Sequence, residues 1–133
     1  MTGYAPPDTP LQILHADHEI VVVNKPAGLL SVPGKGPDLA DCLLARVVEA
    51  FPTALLVHRL DRDTSGVMVF ALSPHAQRHL GLQFERRQVR KSYLARVAGT
   101  WYYVIYNGVV GWVSSTLIEL QQGVTLDQIP IQQ

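Results

Sequence analysis

The stretch "VHRLDRDTSGVMVFAL", residues 57–72, places five charged or titratable side chains next to an unbroken apolar run. The change falls at Thr64-Ser65-Gly66. "GVMVFAL" has the β-branched and apolar content of a buried strand, and "ALLVH", residues 54–58, reads as a short strand on the other side of the charges. "TSG" suits a sharp entry into a strand, with Thr64 or Ser65 bonding the turn backbone. Residues 57–66 are therefore predicted to be a charged loop held between two strands. Asp61 lies in it beside Arg59 and Arg62, which would keep a carboxylate ionised at neutral pH. An ionised acid so placed can act as a nucleophile or base. An ordinary charged surface turn has the same composition.

Working outward, "EIVVVNKPAG", residues 19–28, reads as a buried strand ended by Pro26 and Gly28. "LLSVPGKGP" reads as loop. From Asp41 to Phe51 the residues Leu43, Leu44, Val47, Val48 and Phe51 recur at helical spacing. Asp38 or Asp41 is a candidate cap, and Pro52 stops the helix. Ser73-Pro74 gives a cap followed by proline at the first helical position. Ala76, Leu80 and Phe84 then sit four apart. Residues 1–10, with three prolines, read as a flexible leader.

Net charge is +0, yet all 11 Lys and Arg lie before residue 100. The segment "RRQVRKSYLAR", residues 86–96, carries Arg86, Arg87, Arg90, Lys91 and Arg96 with no acid between them. Its alternation predicts a strand, and its charge suits either phosphates or a protected sheet edge. Beyond Gly99 the style changes. "WYYVIYNGVVGWV" holds five of the ten aromatic residues and reads as two strands joined by Asn107-Gly108.

The one cysteine, Cys42, excludes an internal disulfide and reads as a small buried side chain on a helix. No apolar run reaches membrane-spanning length, and the N-terminus has no secretory pattern. A cytoplasmic protein is expected. His75 and His79 are four apart, a spacing that can hold zinc, but the HExxH glutamate and a third ligand are missing, so no metal is expected. His15 and His18 read as surface residues beside a strand.

Three blocks, "LQILHADHEIVVVNKPAGLLSVPG", "VHRLDRDTSGVMVFALS" and "QFERRQVRKSYLARVAG", resemble the RluA-type family of RNA pseudouridine synthases over residues 11–99. The resemblance implies an isomerase that converts uridine to pseudouridine in structured RNA, rRNA or tRNA, without a cofactor. It implies Asp61 as nucleophile, Arg59 as the group that helps extrude the nucleotide, and Tyr93 as the ring that stacks on uracil. It makes Lys25 part of the framework near the site. A flipped base needs an aromatic face and a cation, and Arg62, Arg86, Arg87, Arg90 and Lys91 become candidate RNA contacts.

The family's later "TGRTHQ"-like block is not found after Gly99, and "WYYVIYNGVVGWVSSTLI" resembles the last strands of a bacterial Src-homology-3-like module. The expected organisation is a leader, a partial synthase domain over residues 11–100, and a hairpin tail of different origin over 101–133. The expected fold is α+β: a mostly antiparallel sheet with two helices, plus the hairpin. Two other readings stay open. One is a non-catalytic RNA-binding remnant or chimera. The other is a glycoside hydrolase using Asp61 and Asp63, which are two residues apart.

Overall fold

In the run that follows Glu19, side chains alternate between the two faces of a sheet, so every second one enters the core. Val21 and Val23 do so, and the third inward position is Lys25. The computed structural model describes residues 3–94 and 99, and, as backbone, 101–106 and 109–114. It divides into two units, Met1–Arg90 and Lys91–Gln133.

The first unit holds a four-stranded sheet of β1 (Gln12–Ala16), β2 (Ile20–Lys25), β3 (Leu55–Leu56) and β4 (Gly66–Ala71), in the order β1-β2-β4-β3. Each pairing is antiparallel. Val21 lies opposite Phe70, Val23 opposite Met68 and Lys25 opposite Gly66. Val21, Val23, Met68 and Phe70, with Leu29, Leu43, Val47 and Ala54, form the hydrophobic core. Gly66 has φ +139°, which residues with a side chain rarely adopt, so the turn into β4 requires glycine.

Strand β1 was not foreseen. All five of its residues are exposed, and a bulge between Ile13 and His15 breaks the alternation that would reveal a strand. Asp17 makes its turn: Oδ1 accepts from the N–H groups of Glu19 (2.8 Å) and Ile20 (2.9 Å), and Oδ2 meets His15 Nε2 at 2.7 Å.

Helix α1 (Leu43–Ala50) is capped by neither aspartate proposed from sequence. Cys42 is the cap residue, with Sγ accepting from Ala45 N–H at 3.4 Å. Asp41 is instead held by the Arg46 guanidinium through two bonds of 3.0 and 2.7 Å. The first N–H groups of α1 are taken by the carbonyls of Leu30 (2.8 Å) and Ser31 (3.1 Å). Helix α2 (Pro74–Glu85) starts as expected, with Ser73 Oγ accepting from Ala76 N–H at 3.1 Å.

The strand expected over the basic stripe is not found in its described part. Arg86 is the C-cap of α2, and Arg87 adopts φ +55°. Arg87 N–H donates to Phe84 C=O (3.1 Å) and Gln88 N–H to Gln83 C=O (2.9 Å). This is a Schellman ending, in which the last helical carbonyls find donors and one residue goes left-handed. Residues 91–94 are neither helix nor strand, and residues 95–98, Arg96 among them, lie outside the described set.

In the second unit β5 (Trp101–Tyr106) and β6 (Val109–Ser114) pair antiparallel, with Tyr106 opposite Val109. The turn residues between them, 107 and 108, lie outside the described residues. Among the described residues no helix is long and apolar enough to cross a membrane.

Candidate active site

Residues 57–66 form the loop between β3 and β4. Lys25 is fully buried, and its Nζ donates to Pro26 C=O (2.9 Å), Leu29 C=O (2.6 Å) and Arg62 C=O (2.8 Å). Three acceptors converge on three N–H groups, which only the protonated amine supplies. Burial pulls the Lys25 pKa below the ordinary lysine value, and the negative charges of Asp63 and Asp61 oppose that pull. The lysine thus fastens the loop backbone and puts a cation under both acids.

Ser31 fastens the loop one step earlier. It is 3% exposed, and its Oγ donates to Leu60 C=O (2.5 Å) and accepts from Leu60 N–H (3.1 Å). Gly28 N–H also donates to Arg62 C=O, at 2.8 Å. Leu60 and Arg62 are therefore both anchored, and Asp61 stands between them with its side chain exposed. The turn beyond closes through Thr64 N–H to Asp61 C=O at 3.1 Å, a backbone bond rather than the side-chain bond expected of Thr64 or Ser65.

His58 holds the loop's entry. Its Nε2 accepts from Val69 N–H at 3.1 Å, beyond the last β3–β4 rung. Accepting there requires the neutral ring with its proton on Nδ1. The ring stacks on Phe84 of α2, with centroids 4.5 Å apart. That contact brings the end of α2, where Arg86, Arg87 and Arg90 are exposed, to the base of the loop carrying Arg59 and Asp61.

The arginines expected to keep Asp61 ionised make no bond to its side chain among the described residues. Arg62 forks onto its other neighbour, with Nε to Asp63 Oδ1 at 3.0 Å and Nη2 to Oδ2 at 3.2 Å. This bond holds the Asp63 carboxyl below its usual pKa. A glycosidase acid needs the opposite shift, so this direction does not favour the Asp61/Asp63 hydrolase reading. Among the described residues no hydrogen bond or ion pair to the side chain of Arg59 or Asp61 is found. Lys25 lies within electrostatic reach of Asp61.

Lys91 and Tyr93 belong to the second unit, where Tyr93 is 66% exposed. The rings of His75 and His79 are 6.5 Å apart, and His79 Nδ1 meets Gln83 Nε2 at 2.9 Å. Among the described residues no group of three or more His, Cys, Asp or Glu is placed to hold a metal. Sequence reasoning missed Ser31, which lay in a stretch read as plain loop. It also gave no sign that Lys25 is buried.

Comparison with known proteins follows the same outline. The chain is 54% identical over 87 residues to the dual-specificity RNA pseudouridine synthase RluA of Yersinia pestis, covering 65% of this chain and 42% of that protein. It is 50% identical over 100 residues to the protein of that name from Escherichia coli K12, covering 74% and 46%. The chain thus spans less than half the length of these curated relatives. A solved structure, human RNA pseudouridylate synthase domain containing 4, is 34% identical and aligns with a TM-score of 0.45 over 58% of this chain and 30% of that one. The RNA pseudouridylate synthase family model matches residues 19–124, across both the anchored loop and the basic end of α2, and the chain accordingly belongs to that family.

Proposed function

We propose that the chain carries the nucleophile-bearing part of an RNA pseudouridine synthase acting on uridine in structured RNA, rRNA or tRNA, in the cytoplasm. Family membership supports the reaction class, and the relatives named as dual-specificity synthases support an RNA substrate. The observation that carries the assignment to Asp61 is its exposed position between two anchored neighbours, Leu60 and Arg62.

In this reading Asp61 attacks the ribose or takes a ribose proton as the bond from C1′ to the base nitrogen breaks. The uracil turns and C5 bonds to C1′ as the Asp61–ribose bond breaks or, in the other route, as Asp61 returns the ribose proton. The C5 proton leaves, the freed nitrogen gains a proton, and the overall change is an isomerisation. Arg59 helps extrude the nucleotide, Tyr93 stacks on the base, and Arg62, Arg86, Arg87, Arg90 and Lys91 hold phosphates. Residues 11–100 make up the partial catalytic domain. Residues 101–133 are read as a tail of separate origin, a reading supported by their aromatic, arginine-free composition, while the family match runs on to residue 124.

The chain spans less than half the length of the curated relatives it matches, and by itself it is expected to react slowly. The test is tritium release from carbon-5-tritiated uridine in RNA under single-turnover conditions. Slow release that Asp61→Asn abolishes, with RNA binding retained, is the expected result. Release indifferent to Asp61→Asn would exclude Asp61 as the reacting group. RNA binding without any Asp61-dependent release favours the remnant reading.

A further inference from the structure

The proline-rich segment read as a leader is tied to the core of this unit. Tyr4 Oη donates to Asp41 C=O at 2.9 Å and accepts from Leu30 N–H at 3.0 Å. Pro7 C=O accepts from Arg46 Nη2 at 2.9 Å, and the same guanidinium holds Asp41. Pro6 and Pro7 restrict the free segment, which lowers the entropy lost on seating it.

Residues 28–31 lie between this strap and the charged loop. Leu30 presents its N–H to Tyr4. Its neighbours face the other way: Leu29 C=O accepts from Lys25, and Ser31 Oγ both donates to and accepts from Leu60. Gly28 N–H reaches Arg62 C=O. A shift of residues 28–31 would therefore displace the backbone on both sides of Asp61.

We propose that Tyr4 is a positioning residue: its hydroxyl fixes residues 28–31 and, through them, the loop backbone that presents Asp61. This rests on Asp61 being the reacting group, but its claim about loop order can be read without turnover. Removing the hydroxyl leaves the Leu30 N–H and the Asp41 carbonyl without that partner, so the seat loosens rather than adapts.

The experiment is amide hydrogen exchange by NMR on the full chain, comparing wild type with Tyr4→Phe and, as a second route to the same strap, Arg46→Met. The amides of Gly28, Leu60 and Thr64 should exchange about tenfold faster in both variants, while the core amides of β2 and β4 keep their rates. Acceleration of all amides together would reduce Tyr4 to a general stabiliser and overturn the proposal. Unchanged rates at Gly28, Leu60 and Thr64 would overturn it as well. In the tritium assay Tyr4→Phe should lower the single-turnover rate at saturating RNA by a few-fold and leave the RNA Kd unchanged. An unchanged rate in a chain whose Asp61→Asn variant is dead counts against the positioning role. If Asp61→Asn changes nothing, the functional reading fails, and the exchange pattern alone decides the strap.

Discussion

The ammonium of Lys25 and the carbonyl of Arg62, 37 positions apart in sequence, are joined by a 2.8 Å hydrogen bond. The lysine end of that bond is fully buried. A charge is stable there because three carbonyls and two nearby carboxylates replace the water it has lost. A core-facing position of β2 thereby fixes the height of the loop that carries Asp61.

Lys25→Met keeps the stem and removes all three donors. The carbonyls of Pro26 and Leu29 lose this partner, while Arg62 C=O keeps Gly28 N–H. The expected loss is about 2–4 kcal/mol, read from the urea midpoint at unchanged slope. An unshifted midpoint would show that the ammonium's desolvation cancels its bonds.

Ser31→Ala deletes one hydroxyl but breaks two bonds to the same residue, Leu60. About 1–3 kcal/mol should be lost. Exchange should rise at the Leu60 amide more than at the β2 and β4 amides, and a uniform rise would count against a local clamp.

Arg87 occupies the left-handed position that glycine normally takes at a Schellman ending. Arg87→Gly should therefore stabilise the fold by about 0.5–1 kcal/mol in thermal unfolding. The same change should weaken RNA binding, and Arg86, Arg87 and Arg90 replaced together by Ala should flatten the salt dependence of affinity. A salt slope unchanged in the triple variant would remove this cluster from the RNA surface.

The Asp17 carboxyl is lowered to a pKa of about 2 in the folded chain from its ordinary 3.8, chiefly through its bond to His15 and then those from Glu19 and Ile20 N–H. A depressed carboxylate pKa contributes stability that is present above the unfolded value and lost as pH falls through the folded one. Asp17→Asn keeps an oxygen for the two N–H groups but not the charge. Its Tm should lie below wild type at pH 5 and converge with it between about pH 4 and 2. A constant gap across that range would assign the effect to shape rather than charge.

The sequence by itself determined the pieces whose signals are local. The unbroken apolar and β-branched runs of β2 and β4 marked buried strands, and Ser73-Pro74 set the start of α2 because a cap and a proline act within one turn. The signature around Asp61 carried the family resemblance, which the family match over residues 19–124 bears out. Tertiary structure decided what depends on partners distant in the chain. Strand β1 is exposed throughout and exists through pairing with β2 and the Asp17 turn, so its own residues carry no period. Cys42 takes the cap position of α1, while Asp41 is bound by Arg46 from within the helix. Arg62 forks onto Asp63, and the buried Lys25 lies within electrostatic reach of Asp61. Local propensity selects strands, caps and turns over a few residues. A hydrogen-bond donor's choice among acceptors 29 or 37 positions away is made only when packing brings them within 3 Å.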